Sequence, residues 1–328
     1  MPRIERRFLW VTVTTLAFSA LTSYATPSIT AGYWPSNLSA GLSQDQKAQL
    51  YTRWYDLTRG GPEQQKAAYE SGQEFLRKFG SFDDQQVQTV RKWVAKYERA
   101  ALEFVFNQAV GIKDYVQAFE LGRKILNNDP QNFRVLSVLA VTANLIGPPT
   151  DPNINREAAN FAHRAVQLLE TGKLTSADPF ATMDEAVGFL NFSLGRFMVA
   201  NSPADAVVAL RKAAQSKSAY SQDAATYYLL ASAIATSEFR PLQAEYRKKY
   251  EGKELTAEGR AMYERLTRII ERMIDAYARA VALSTRPEQQ EFKNQLMAQL
   301  TKVYKSIHND SDAGLNDLIA TVLSKPMP

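Results

Sequence analysis

The sequence predicts an all-α protein built of antiparallel helix hairpins, and three observations predict it. A small or apolar residue recurs with a second four positions on and a third at plus seven: Ala118, Gly122 and Ile125, then Ala158, Ala162 and Ala165, then Ala206, Leu210 and Ala213. That spacing puts three side chains on one helix face and lets the helix approach a neighbour closely. The long segments carry apolar residues at helical intervals, and no two of them alternate as paired strands would. The prolines fall almost wholly between those segments, outside helix interiors, where a proline would remove a hydrogen bond.

Residues 1–25 read as an N-terminal signal helix. Arg3, Arg6 and Arg7 against Glu5 make the start basic, and Phe8 to Leu21 is apolar but diluted by Thr12, Thr14, Thr15 and Ser19. Those fourteen residues cover about 21 Å at helical rise, short of a hydrocarbon core of about 30 Å. Ser23-Tyr24-Ala25 offers small residues at the two positions a signal peptidase reads, so cleavage is expected after Ala25. The alternative is an uncleaved signal-anchor over residues 8–25 in the inner membrane, the only membrane contact expected. Either reading sends the body of the chain to the periplasm or cell envelope. Residues 26–42, with Pro27, Gly32, Pro35 and Gly41, form a linker.

A helical repeat domain is expected over residues 43–325. Ser43 starts its first helix, with Gln46 as capping-box partner and Leu50, Trp54 and Leu57 on the apolar face. Gly60-Gly61-Pro62 ends it, and Pro62 opens a second helix that buries Ala68, Gly72, Phe75, Leu76 and Phe79 and stops at Gly80. A long helix from Asp83 to Ala109 follows, with Val90, Trp93, Val94, Tyr97, Ala101 and Phe104 as its inner stripe. The Ala118 helix runs to a break at Asn127–Pro130, Phe133–Ile146 forms the next, and Gly147–Pro152 is a rigid loop. Helices near 155–170, 181–201, 203–216 and 221–236 complete two more hairpins. After Pro241 the pattern departs, and residues 237–256 read as an inserted segment holding a short helix, Leu242–Tyr250. Thr256 then caps a long helix with the stripe Met262, Leu266, Ile270, Met273, Tyr277 and Ala280. A final pair, Pro287–Ile307 and Ser311–Leu323, closes the domain with polar outer residues that suit a terminal cap.

Bulk composition excludes several function classes. The 328 residues are 45 % hydrophobic and 22 % charged, as in ordinary globular proteins. A net charge of +5, part of it in the first seven residues, is too mild for nucleic-acid binding. With no cysteine, disulfides, thiolate nucleophiles and thiolate metal sites are ruled out. His163 and His308 fall on different predicted helices, so no metal site is expected, and no cofactor.

The spacing resembles the tetratricopeptide repeat superfamily. The second helix of that family's repeat reads small-x3-apolar-x2-small with a proline five residues on. Ala118-Gly122-Ile125-Pro130 fits this spacing, and Ala68-Gly72-Phe75-Gly80 fits with glycine for proline. Ala158-Ala162-Ala165, Ala206-Leu210-Ala213 and Met273-Tyr277-Ala280 fit without the proline, while Leu194-Gly195-Met198 matches the first-helix signature and Leu139-Ala140-Ala143 matches it loosely. The motif starts lie 50, 40, 48 and 67 residues apart, against a family repeat of about 34, which calls for longer helices and inserted loops. The resemblance implies a right-handed solenoid whose first helices line a concave face. Carried over, it aims Phe189, Phe192 and Arg196 into the groove, joined by Arg134, Ser137, Tyr228, Lys302 and Lys305. Arginines and aromatics suit a protein or peptide partner. The alternative for Phe189 and Phe192 is a place in the core.

A search for chemistry finds no G-x-S-x-G elbow, H-E-x-x-H, G-x-G-x-x-G or phosphate loop. Thr171-Gly172-Lys173-Leu174 is a helix stop, and Asp310-Ser311-Asp312 lacks a calcium loop's glycine and glutamate, so Ser311 or Asp312 is read as a helix cap. Glu70-Ser71 has the catalytic pair of lytic transglycosylases without their glycine-rich motif. The basic run Arg247-Lys248-Lys249 reads as an exposed helix face. The expected function is therefore a non-catalytic, exported scaffold. The alternatives are a cell-envelope carbohydrate-active enzyme around Glu70 and a small-ligand binding module, the latter marked by a deep apolar pocket.

Overall fold

A computed structural model describes residues 44–145, 152–251 and 256–327, and among them every regular element is helical. The signal, the linker, the Ser43 cap and most of the Gly147–Pro152 loop lie outside the described residues. The chain divides into two compact units, residues 1–121 and 122–328, with the boundary inside one helix.

The first unit contains α1 (Gln44–Thr58), α2 (Pro62–Phe79), α3 (Gln85–Gly111) and the start of α4 (Tyr115–Asn128). Pro62 sits in the first turn of α2, as its lack of an N–H favours. Asp84 caps α3 by accepting from the Gln86 and Val87 amides, and Lys47 of α1 binds the same carboxylate. The core joins Trp54, Ala68, Phe75, Phe79, Val87, Val90 and Val94. A Cβ at Gly72 would stand 2.8 Å from Val94 and 3.2 Å from Trp54, so the small residue of the repeated motif is where α2 meets both neighbours.

One expectation for α3 needs correction. Val90 and Val94 are buried as predicted and Val87, one turn earlier, is buried beside them, but Ala101 and Phe104 are exposed, and Phe106 and Ala109 are buried instead. At about 100° per residue, the first set centres roughly 90° around the helix from the second. The two ends of α3 therefore bury different faces, and extending the first stripe by fixed steps ran it onto solvent.

The second unit continues with α5 (Phe133–Leu145), α6 (Pro152–Glu170), α7 (Met183–Met198), α8 (Pro203–Gln215) and α9 (Ala224–Ile234). After these come α10 (Arg240–Tyr250), α11 (Ala257–Leu283), α12 (Gln290–Lys305) and α13 (Leu315–Thr321). From α5 to α9 each helix packs on the next, and α11 packs on α9, α10, α12 and α13. The helices also touch in alternation, α5 with α7 and α7 with α9. Ala158, Ala162, Ala165, Ala206, Leu210 and Ala213 are fully buried, so the recurring spacing is the packing seam. At Gly122 an added Cβ would reach 2.8 Å from Leu139, and at Gly195 it would overlap Leu210.

The inserted segment, read from the sequence as a separate short helix Leu242–Tyr250, is continuous with the helix before it. The α9 helix runs through a π-helical turn, Ala235–Phe239, straight into α10. Pro241 falls in the first turn of α10, where its missing N–H is tolerated. Thr236 Oγ1 donates to the Ser232 carbonyl at 2.9 Å and Ser237 Oγ to the Ala233 carbonyl at 2.7 Å. These hydroxyls serve backbone acceptors in the widened turn. Thr256 caps α11 as expected, accepting from the Gly259 amide. The last helix starts at Leu315 rather than Ser311: Gly314, at φ +84°, forms the N-terminal turn, and Ser311 Oγ serves only the Ala313 amide.

The chain's last described residues are tied down by a buried arginine. Arg279 of α11 donates to Asp275 through Nε (2.7 Å) and to the Lys325 and Pro326 carbonyls through Nη2 (2.9 and 3.0 Å). Val322 and Met327 pack on the core of this unit.

Candidate functional site

The predicted groove residues divide into buried, paired and exposed groups. Ser137 of α5 is fully buried, and its Oγ is sealed away without a hydrogen bond. Phe189 of α7 is 6 % exposed. Phe189 is covered by Phe180 of the preceding loop and Tyr220 of a short turn. Arg134 is half-exposed and paired with Asp178 at 2.7 Å, so its charge is already answered.

On α7, Phe189, Phe192 and Arg196 form one stripe, and the short turn Ala219–Gln222 lies beside it. Tyr220 from that turn meets Phe189 edge-on at 5.5 Å and Phe192 at 4.9 Å, while Phe180 flanks Phe189 at 5.4 Å. Burial pushes the Tyr220 hydroxyl well above the ordinary tyrosine range; Asp223 adds to this, and Arg196 opposes it. Desolvation lowers Arg196, opposed by Tyr220. The stripe thus ends in a half-buried guanidinium and a half-buried aromatic edge, both at low dielectric.

Tyr228 of α9 is 36 % exposed and meets Phe292 of α12 edge-on at 5.5 Å. Lys302 and Lys305, one turn apart on α12, line a cleft of about 520 Å³ with Tyr263 of α11, Ser306 and Asp310. Lys305 stands 3.7 Å from Asp312, whereas Lys302 is exposed. Tyr263 also touches Tyr246 of α10, at 6.1 Å, which brings the basic run on α10 into the neighbourhood of this cleft. Of that run, Lys249 is held by Glu245, and all three side chains are exposed.

These surfaces present charged side chains, aromatic faces and hydrogen-bonding groups. Glu70 is exposed on α2, and His163 is exposed on α6. The His308 ring stacks on Tyr304 at 3.8 Å, with Nδ1 against the Tyr304 carbonyl, so it terminates α12. Among the described residues no group of three acidic or histidine side chains gathers to hold a metal, and no helix is long and apolar enough to cross a membrane.

Sequence reasoning missed Tyr220, Tyr263, Phe292 and Asn191. The first three are ordinary aromatics whose position depends on which helices meet, and nothing local marks them. Asn191 did carry a signal: it is a polar, poor helix-forming residue inside the apolar run Phe189-Leu190-Asn191-Phe192. Compared with family models, curated proteins and solved structures, the chain finds no match in any of the three.

Proposed function

We propose that this chain is an exported, non-catalytic scaffold that holds a protein segment against a face made by α5, α7, α9 and α12. The observation that carries this reading is the alternation in packing. Helix α5 touches α7, α7 touches α9, and Tyr228 of α9 meets Phe292 of α12, so the first helices of successive hairpins lie side by side. A right-handed, tetratricopeptide-like solenoid is the architecture this reading assumes. Arg196, Phe192, Tyr228 and Lys302 then supply residue types that dominate protein interfaces, on helices that pack next to one another. Export rests on the basic start, the short apolar stretch and the Ser23-Tyr24-Ala25 site.

The test is affinity purification of the tagged full chain from crosslinked, detergent-solubilised envelopes, with mass spectrometry of the co-purifying proteins. A reproducible partner is expected for the wild type and should be lost in Tyr228→Ala/Lys302→Glu, two exposed substitutions that leave the melting curve in place. Unchanged capture by the folded double variant would refute the face, and an empty preparation would refute the scaffold. Sequencing the mature N-terminus separates cleavage after Ala25 from a retained anchor.

A further inference from the structure

Helices α9, α10 and α12 all pack on α11, and together they frame one end of the proposed binding face. Tyr228 of α9 meets Phe292 of α12 at 5.5 Å, and Tyr246 of α10 meets Tyr263 of α11 at 6.1 Å. Tyr263 in turn lines the cleft that holds Lys302 and Lys305. An aromatic pair therefore stands at one end of this strip and a basic cleft at the other. From Tyr228 to Arg247 the continuous helix rises about 28 Å, the reach of about eight extended residues.

The charge on this strip is one-sided. Helix α10 carries four basic side chains against one acid, and α12 carries three against one. Their surplus of five is as large as that of the whole chain, while α11 carries five basic side chains and four acids. The acids nearest Arg240 and Arg247 in the chain are already answered: Arg272 holds Glu238 at 2.6 Å and Lys249 holds Glu245 at 2.8 Å. Arg240, Arg247 and Lys302 are exposed, and none of them forms an ion pair with a described residue. Arg240 and Arg247 are two helical turns apart and share one side of α10, whereas Glu245 and Lys249 lie on another. Burial pushes the Tyr277 hydroxyl above its ordinary value; Ser232 opposes this, Tyr228 adds to it and Arg240 opposes it, so Arg240 and Tyr228 act on one hydroxyl. An unanswered surplus of like charge repels itself, and an acidic partner relieves that repulsion.

Several kinds of polyanion would meet the charge, and the surroundings of the cleft favour one. A phosphate backbone or a plane of lipid headgroups presents charge at every step, and Asp310 and Asp312 beside Lys305 repel it. A peptide can space its carboxylates away from those two acids and lay an apolar side chain against Tyr228 and Phe292.

We propose that the strip formed by α9, α10 and α12 binds an acidic peptide segment, with carboxylates on Arg240, Arg247 and Lys302 and an apolar side chain on the Tyr228–Phe292 pair. This rests on the protein-binding reading above and names the chemistry of its partner.

The experiment follows the fluorescence anisotropy of a labelled Glu-Phe-Glu-Ala-Glu-Ala-Glu-Phe-Glu peptide titrated with the full chain in mild detergent. Saturable binding is expected. The same peptide with glutamine for every glutamate should bind about tenfold more weakly, or about 1.4 kcal/mol, the scale of a few exposed ion pairs. Arg240→Gln/Arg247→Gln, two exposed changes, should weaken the acidic peptide by a similar factor and leave the glutamine peptide unaffected. Equal binding of the two peptides by the wild type would overturn the inference whether or not the variant folds, and so would the absence of saturable binding. Co-sedimentation with phosphatidylglycerol vesicles is measured beside it. Vesicle capture that is lost in the double variant, without peptide binding, would reassign the strip to a membrane. Capture from envelopes is read separately: a partner retained by a chain with no preference for the acidic peptide overturns this inference and leaves the scaffold reading in place.

Discussion

Replacing Arg279 by methionine should detach the chain's last described residues from α11. The arginine side chain is 6 % exposed, and its Asp275 partner 18 %, so the pair sits largely out of water. Methionine keeps much of the aliphatic stem but removes every donor. Asp275 is then left with a poorly solvated charge, and the Lys325 and Pro326 carbonyls lose the hydrogen bonds that hold them. Hydrogen bonds to charged groups contribute about 1.5–3 kcal/mol, and breaking a buried ion pair costs about 3–5 kcal/mol. Because two of the acceptors are backbone atoms close to the surface, a loss of about 3 kcal/mol is expected. For a unit of this size that corresponds to a melting shift of roughly 6–12 °C. Differential scanning calorimetry measures the shift, and amide exchange over residues 322–327 reports whether the segment has come loose. A double-mutant cycle with Asp275→Asn should return a coupling of at least about 1 kcal/mol. A shift under about 2 °C with unchanged exchange would refute the reasoning, because the packing of Val322 and Met327 would then hold the segment without the arginine.

The packing seams and the charges give two further expected outcomes. Gly195→Ala should destabilise the second unit by about 1–3 kcal/mol, since the new methyl overlaps Leu210; Leu210→Val in the same chain should recover part of the loss in urea titration, and a neutral Gly195→Ala would contradict the close approach. The Asp84 carboxyl is held below its ordinary value of 3.8 by Lys47 first and then by the Val87 amide. A depressed folded-state value stabilises above the unfolded one and loses that contribution as pH falls through the folded value. Asp84→Asn, which can still cap α3, should therefore lower the melting temperature at neutral pH and have little effect near pH 2, about two units below the ordinary value; equal effects at both would assign the role to the cap alone.

The parts of the fold legible in the sequence are those set by local chemistry. Pro62 at the start of α2, the Thr256 cap and the small residues at Ala118, Ala158 and Ala206 act within one or two helical turns, so spacing reveals them. Reading failed where a helix answers to more than its own pattern. The stripe of α3 changes face along its length, and Pro241 breaks nothing because the π turn before it makes room. The expected groove residues divide by burial. Ser137 and Phe189 share helix faces with groups that are accessible, and a rotation of some tens of degrees separates a core side chain from a groove side chain.

By itself the sequence determined the helical class that every regular element of the described residues shares, and the packing seams of small residues. Periodicity, caps and composition act over distances of a few residues, which is why they can be read without coordinates. Only the tertiary structure decided that Tyr220 covers Phe189 and Phe192, that Lys302 and Lys305 meet Tyr263 in one cleft, and that Asn191 lines an aliphatic hollow between α6, α7 and α8. Each of these depends on helices distant in sequence coming within a few ångströms. That proximity is set by how whole helix faces pack, a property no single segment carries.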